Sequence, residues 1–489
     1  MSSKNVIVIG GGLAGLAAGV ALADVGCRVR LFEQRPYLGG RATSYVLPNG
    51  EHVDNCQHVT FGCCTNLEDF YQRVGVQQSI RYFDTLLLLD PQDKRGTFHA
   101  GPLPAPLHLI GSFLTFAPLN IGERLAIARA MMSIFRWQGR PPELRDHPNM
   151  SMQQWLEFHR QPPRAMERFW RAVLVSALSE EMDRIDARYG LDVFWKTVLA
   201  NRTGYRMGVP SVPLAELYDG CRAAIEKKGG EVILRSPVRS LRFEGGALAA
   251  AVFDEGREER GDVFILALPH DKLNELLPDE VREANPGLAQ IENIKDSPIT
   301  GVHFWFDRQV MREPFLTLLD TQTQWIFNKS ALYGAAANNA SDVNSSEAKD
   351  LLSAEIGKTR GQYLQLVISA SYDLLRKSRE EIIDLCLREV RRALPAAREA
   401  QLVKATVIKE AAATFSPEPG VDQWRPAQET KTPGLFLAGD WTATGWPATM
   451  ESAVRSGYLA AEGVLRSAGI PQKFLQPDLP ASGLSRFFA

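Results

Sequence analysis

The chain lacks most of what would mark a secreted, metal-binding or nucleic-acid-binding protein. Its 489 residues contain six cysteines: Cys27, Cys56, Cys63, Cys64, Cys221 and Cys386. None falls into a C-x-x-C or zinc spacing, so neither a metal site nor a disulfide framework is expected. Thiols of that kind suit a reducing cytoplasm, and the adjacent pair Cys63-Cys64 reads as packing. An excess of one charge is missing too. The 55 Lys and Arg nearly balance 57 Asp and Glu, for a formal net charge of −2, so no nucleic-acid partner is expected. No apolar run reaches the roughly 18 residues of a membrane span. The only apolar stretch near the start, Val6-Ile7-Val8-Ile9, is too short for a secretory signal. Internal repeats and low-complexity tracts are absent. What remains is length enough for two domains, or one large discontinuous one, with an ample core.

The first forty residues are the most informative. The β-branched run leads into Gly10-Gly11-Gly12-Leu13-Ala14-Gly15, a G-x-G-x-x-G, followed by Ala- and Leu-rich sequence to Ala23. A second apolar stretch, Val29-Arg30-Leu31-Phe32, ends on Glu33. Gly10 permits the tight turn, Gly12 lets backbone approach a pyrophosphate, and Gly15 lets helix and strand pack closely. The helix start supplies free N–H groups and partial positive charge for phosphates. Glu33 stands about 20 residues on, where an acid accepts hydrogen bonds from both ribose hydroxyls and disfavours a 2′-phosphate. Strand, turn, helix, strand and acid in this order predict a dinucleotide site.

Glu33 continues as Gln34-Arg35-Pro36-Tyr37-Leu38-Gly39-Gly40-Arg41-Ala42-Thr43. A Gly-Gly-Arg here can curl its backbone over the pyrophosphate, and the planar guanidinium of Arg41 pairs bidentately with phosphate oxygens. On these residues the sequence resembles the flavin-containing amine oxidase and phytoene desaturase superfamily, in which E-x-x-x-x-x-G-G-R follows the first glycine motif. The resemblance implies FAD as cofactor.

Near the other end, Leu435-Phe436-Leu437-Ala438-Gly439-Asp440 reads as a buried strand, followed by a loop and a helix opening near Thr449-Met450. Asp440 can accept hydrogen bonds from ribityl hydroxyls, and the helix start, with Ala448, can face the flavin's electron-rich edge. The resembling superfamily closes this segment over the flavin. No cysteine follows Asp440, so the FAD is expected to be non-covalent.

The predicted architecture is α/β, with a discontinuous Rossmann-type FAD-binding domain and an inserted, α+β, mixed-sheet and helical substrate and membrane domain. The FAD-binding pieces are expected at 1–85, 206–288 and 405–470. The substrate-binding or cap pieces are expected at 86–205 and 289–404, and 471–489 as a loosely ordered tail. Helices are predicted at 152–158, 165–178 and 214–228, and strands at 231–234, 263–268, 300–306 and 363–369. Val238 falls where the resembling superfamily contacts adenine through its backbone.

Residues 102–119, PLPAPLHLIGSFLTFAPL, are apolar but broken by prolines. After them, 122–140 can form a helix with Ile127, Met131, Ile134 and Phe135 on one side and Arg129, Arg136 and Arg140 on another. An apolar face flanked by arginines suits an interfacial membrane helix, and equally a core helix with solvated arginines. The expectation is membrane contact over 102–140, hence a cytoplasmic protein held peripherally at the inner membrane, acting on a lipophilic substrate.

Catalytic candidates are fewer. Asp54-Asn55-Cys56-Gln57-His58-Val59 follows an Asn49-Gly50 turn signal and a short strand. In the superfamily the corresponding loop passes the isoalloxazine ring, so His58 is a candidate hydrogen-bonding or proton-transfer group; a structural hydrogen bond is the alternative. Glu180 and Asp183, at a helix end, are candidate acids, although acids in such places are commonly solvated. Phe169, Trp170, Phe194, Trp195, Phe304, Trp305 and Phe306 can line a tunnel or fill a core.

Within the superfamily the chain resembles the squalene-associated desaturase-like group, the hydroxysqualene dehydroxylases of hopanoid synthesis. The carrying residues are Asp54-Asn55-x-Gln57-His58, Phe169-Trp170-x-x-Val173-Leu174-x-Ser176-Ala177-Leu178 and Gly439-Asp440-Trp441-Thr442-x-Thr444-Gly445-x-Pro447-Ala448-Thr449. Cys56 stands where that group is expected to carry glycine. The resemblance implies reductive loss of water from hydroxysqualene to give squalene, with hydride from reduced flavin. A carotenoid or phytoene-type desaturase or isomerase is the alternative, and an amine oxidase a further one. The latter is expected to carry a Lys that orders a water at flavin N5. The region 297–303 has none, and Lys295 precedes the strand. No second nucleotide motif is present, so any electron donor is external.

Overall fold

The computed structural model describes residues 4–47, 50–333 and 361–488. Asn49 of the expected Asn49-Gly50 turn lies outside the described residues.

Two sheets organise the chain. The first is parallel, with strands in the spatial order Glu231–Ile233, Arg28–Phe32, Asn5–Ile9, Val263–Leu266 and Leu435–Leu437. Its central strands are apolar throughout because both faces are covered. The helix Leu13–Asp24, buried from Leu13 to Ala23, wedges between this sheet and the helices Asp219–Lys227 and Met450–Ser467. That explains its composition: with no solvent face, it has no need of a polar one.

The second sheet is mixed, in the order Leu402–Phe415, Asp296–Phe306, Gln362–Ser369, Trp325–Asn328, Phe315–Leu318, Thr85–Leu89 and Arg95–His99. Only the contact of Phe315–Leu318 with Thr85–Leu89 is parallel. The boundary expected at 405 is corrected here. It falls inside one continuous strand that pairs with Asp296–Phe306 from Leu402 to Phe415, so the last nucleotide-binding piece begins after that strand.

Between the strands Arg95–His99 and Met207–Pro210 in sequence, a group of helices packs together. Asn120 and Glu123 form a capping box that starts Ile121–Arg136, and Ser151 and Gln154 do the same for Met152–Phe158. The helix expected at 165–178 contains a π-helical stretch, Met166–Arg171, and a second follows at Trp195–Leu199. Such stretches turn side chains off the regular helical face, and both border the cavity described below.

The tail is also corrected. Thr65 Oγ1 donates to the Pro477 carbonyl, Asn66 exchanges hydrogen bonds with Gln476, and Lys196 pairs with Asp478. The turn Gly483–Phe487 then docks through Leu484 N–H to the Ala105 carbonyl and Ser485 Oγ to the Leu199 carbonyl. The tail is held mainly through its own backbone, by side chains of Thr65 and Asn66 and by the Ala105 carbonyl, which composition alone does not reveal.

Candidate active site

One cavity of about 1330 Å3 runs between the two sheets. At its nucleotide end it is lined by Gly10, Gly12, Leu13, Ala14, Glu33, Gln34, Arg35, Gly40, Arg41 and Val238. A side chain on Gly15 would collide with the Gly10 carbonyl, so close helix–turn packing demands glycine there. Gly12 is different. A Cβ built on it would meet no protein atom nearer than 3.8 Å, because that face opens into the cavity. This is a cradle a side chain would fill, as a pyrophosphate site requires. Glu33 is buried and accepts from the backbone N–H groups of Gly11 (2.7 Å) and Arg35 (2.8 Å). Each of its oxygens keeps a second lone pair for a ribose hydroxyl.

The distant C-terminal motif reaches the same cavity. Gly439, Asp440, Ala448, Thr449 and Met450 line it, and Asp440 forms an ion pair with Arg41. Burial opposes the Arg41 charge, but Asp440 overcomes it, so the guanidinium stays charged beside the cavity. Thr449 caps the helix Met450–Ser467 by accepting from Ser452 N–H at 3.1 Å, which leaves that helix start facing the cavity. The residues fit FAD from phosphates to flavin edge.

Two residues that hold this loop were not read from the sequence. Arg425 donates to the carbonyls of Asp440 (3.0 Å) and Thr442 (2.6 Å). Glu451 accepts from Asn66 and from Leu67 N–H, tying the loop to the helix Thr65–Arg73. Glu451 falls within the Met450-Glu451-Ser452 run that the sequence shows, but its partner Asn66 lies 385 residues away, and nothing local marks the partners of Arg425.

Beyond the nucleotide end, Asn55, Cys56, Gln57, His58 and Val59 form part of the cavity wall. His58 Nδ1 lies 3.1 Å from the Cys56 carbonyl. A carbonyl only accepts, so Nδ1 carries the proton in the neutral ring and Nε2 is the unprotonated atom. Burial, reinforced by Arg41 and Lys329, holds the His58 pKa below its ordinary value of 6.5. Lys329 itself, in the second sheet, is fully buried against Asp54 and lies behind this wall rather than in the cavity.

The two candidate acids lie elsewhere. Glu180 is buried but outside the cavity lining, and accepts from Tyr372 Oη (2.7 Å) and Ser416 Oγ (2.5 Å). Asp183 is exposed and also outside it. Of the seven candidate tunnel aromatics, Phe169 and Phe194 line the cavity. Trp170, Phe304 and Phe306 are core, Trp195 packs partly buried against the core outside the cavity lining, and Trp305 stacks on Tyr363.

The far end is apolar and open. Leu107, Ile110, Met132, Leu484 and Phe488 line the cavity and are also exposed, which places its mouth there. The face expected to meet a membrane is corrected: Ile127 and Ile134 are core, and Met131 and Phe135 line the cavity. The exposed apolar residues of that helix are Ile121, Leu125 and Met132, spaced to share another face. Arg129 and Arg136 stand exposed nearby on the same helix.

A parallel sheet of Rossmann type, a glycine-rich cradle beside a buried acid and a C-terminal Gly-Asp loop on the same apolar chamber define an FAD-dependent oxidoreductase. The chain matches the flavin containing amine oxidoreductase family over residues 13–465 and belongs to it. It is 25% identical over 490 residues to the 15-cis-phytoene desaturase of Synechococcus elongatus, covering 96% of this chain and 98% of that protein. It is also 25% identical over 478 residues to the zeta-carotene desaturase of a Synechocystis species, covering 94% and 97%. Among solved structures, putrescine oxidase superposes with a TM-score of 0.67 at 15% identity, covering 95% of this chain and 99% of that one. That likeness is one of fold.

Proposed function

We propose that the protein oxidises a long apolar isoprenoid with FAD, in the manner of a carotenoid-type desaturase. The observation that carries this reading is the apolar cavity that joins the FAD cradle to an apolar mouth. Beyond the FAD cradle its lining is largely apolar, from Leu88 and Phe98 to Leu484 and Phe488. The full-length similarity to phytoene and zeta-carotene desaturases supports the same choice.

Bound FAD, held without a covalent link, supplies a two-electron acceptor. The chain's residues do the rest. Phe98, Phe113, Phe169 and Phe194 exclude water and hold an extended hydrocarbon in line with the flavin-facing wall. Desaturation removes a hydride from one carbon and a proton from its neighbour. Neutral His58, with Nε2 unprotonated, is suited to accept that proton. Arg41, kept charged by Asp440, offsets negative charge at the cofactor. Glu180 and Asp183 take no part, because neither reaches the cavity. An external partner then takes up the electrons.

The second reading is reductive dehydroxylation of hydroxysqualene to squalene, which the segments around Asp54, Phe169 and Gly439 favour through their resemblance to that group. It uses the same cavity but requires a proton donor at the leaving oxygen, which His58 becomes only when protonated. An amine oxidase reading is the poorest fit, since a charged amine would have to desolvate in an apolar chamber.

We also propose that the mouth docks on the inner membrane from the cytoplasmic side. Exposed Ile121, Leu125 and Met132 beside Arg129 and Arg136 give an apolar face rimmed by cations, as an anionic bilayer demands. Among the described residues no helix is long and apolar enough to cross a membrane.

An anaerobic experiment separates the readings. Oxidised enzyme mixed with phytoene in liposomes is expected to bleach its flavin and yield a desaturated product. No bleaching with phytoene, together with flavin reoxidation and squalene formation when dithionite-reduced enzyme meets hydroxysqualene, would replace the first reading with the second.

A further inference from the structure

Behind the wall that carries His58 lies a buried polar cluster that reaches the cavity only through Gln57. Lys329 follows the strand Trp325–Asn328 and is completely buried. Its Nζ donates to Asp54 Oδ2 at 2.8 Å and to Gln57 Oε1 at 2.7 Å. Tyr333 Oη donates to the same Asp54 oxygen at 2.8 Å. The other oxygen accepts from Ser44 Oγ (2.7 Å) and Leu214 N–H (3.1 Å). Gln57 Nε2 in turn donates to the His58 carbonyl at 3.0 Å.

Stability does not explain this arrangement. Desolvation of two ions offsets their attraction, so a sealed pair contributes little net to folding. Geometry does explain it. Among the described residues Lys329 is the only buried lysine, and it bonds two positions of one short segment. The second sheet is thereby tied to the cavity wall at both Asp54 and Gln57. From beneath, Gln365 Nε2 meets the Asp54 carbonyl at 3.4 Å, and a Cβ on Gly301 would press on the Asn55 carbonyl.

We propose that Lys329 is the positioning residue of the active site: through Asp54 and Gln57 it fixes the segment that presents His58 to the cavity. It rests on the reading that residues 55–59 face the flavin. The charged groups that face His58 are Asp54 on its own segment, Arg41 from the nucleotide side and Lys329 from the second sheet. Removing Lys329 leaves Asp54 unneutralised, so His58 then binds a proton more readily.

The test uses FAD-loaded enzyme with ring-labelled histidine. The His58 resonance is assigned by its loss in His58→Gln. In Lys329→Met the His58 titration midpoint is expected to rise by about 0.5 pH units or more. kcat is expected to fall at least about tenfold with a smaller change in KM, because the apolar end lined by Phe98, Phe113, Phe169 and Phe194 is untouched. The double variant Asp54→Asn/Lys329→Met carries no unpaired buried charge. Its midpoint is expected near wild type while kcat stays low, since Gln57 has still lost its tether. An unchanged midpoint in Lys329→Met, or wild-type kcat in the double variant, overturns the proposal. Should Lys329→Met not fold, the double variant decides alone. The titration needs no substrate, so it still decides the role of Lys329 if no isoprenoid is turned over.

Discussion

Two features suit His58 to the proton-accepting role proposed for it. Burial disfavours the imidazolium, and the Cys56 carbonyl occupies the one ring proton of the neutral form. On the proposed desaturation reading the active form is therefore the neutral ring. Substrate-driven flavin reduction is expected to be flat above about pH 6.5 and to decline as pH falls through the lowered His58 pKa. His58→Gln should lose about 10²–10⁴-fold in rate and flatten that acid limb. Stopped-flow rates across pH check both, and a rate that instead rises as pH falls would mark His58 as a donor and favour dehydroxylation. At the cradle, Gly12→Val should abolish FAD retention without unfolding the chain, because the added side chain projects into the cavity and not into packed protein. Flavin absorbance per mole of purified protein, beside an unchanged circular dichroism spectrum, is the check. Residues such as Gly12, Glu33 and Arg41 were legible in the sequence because their chemistry depends on local spacing. Arg425, Glu451 and Lys329 were not, because each acts on a segment brought near only by the fold.

At the scale of elements, the helix Ile121–Arg136 shows what periodicity leaves open. Spacing groups Ile127, Met131 and Ile134 on one face, yet says nothing of what that face meets. In the fold it meets the core and the cavity, and the outward apolar set is Ile121, Leu125 and Met132. Ile121 is 71% exposed, and Leu125 and Met132 are each 61% exposed, so polar replacements there cost little folding stability. Leu125→Glu/Met132→Glu is accordingly expected to leave thermal unfolding nearly unchanged while weakening sedimentation with anionic vesicles about tenfold or more. Equal binding by wild type and variant would remove this helix from the membrane surface. The strand Leu402–Phe415 teaches the same lesson in a sheet. Its half-buried residues give no sharp alternation, so only pairing with Asp296–Phe306 reveals where it ends.

Across the whole molecule, the candidate FAD site is assembled from pieces more than 400 residues apart. The cradle at Gly10–Gly15, the Gly40-Arg41 turn, the backbone near Val238 and the loop from Gly439 to Met450 all line one cavity. The Arg41–Asp440 ion pair joins the first piece to the last. The seven-stranded sheet, in contrast, is held by its own ladder and by cores distinct from the one around the nucleotide-binding helix. Ligand binding to the native state alone stabilises it by about 2.7 kcal/mol at a hundredfold excess over Kd. FAD should therefore raise the unfolding temperature with its concentration in wild type, and should not in Gly12→Val. Hydrogen exchange locates the effect. Protection on adding FAD is expected to rise together at residues 5–15 and 435–451, with far less change across 362–369 and 402–415. Equal protection of both sheets would mean that the chain opens only as one cooperative unit, and the cavity could then admit a long substrate only through its mouth.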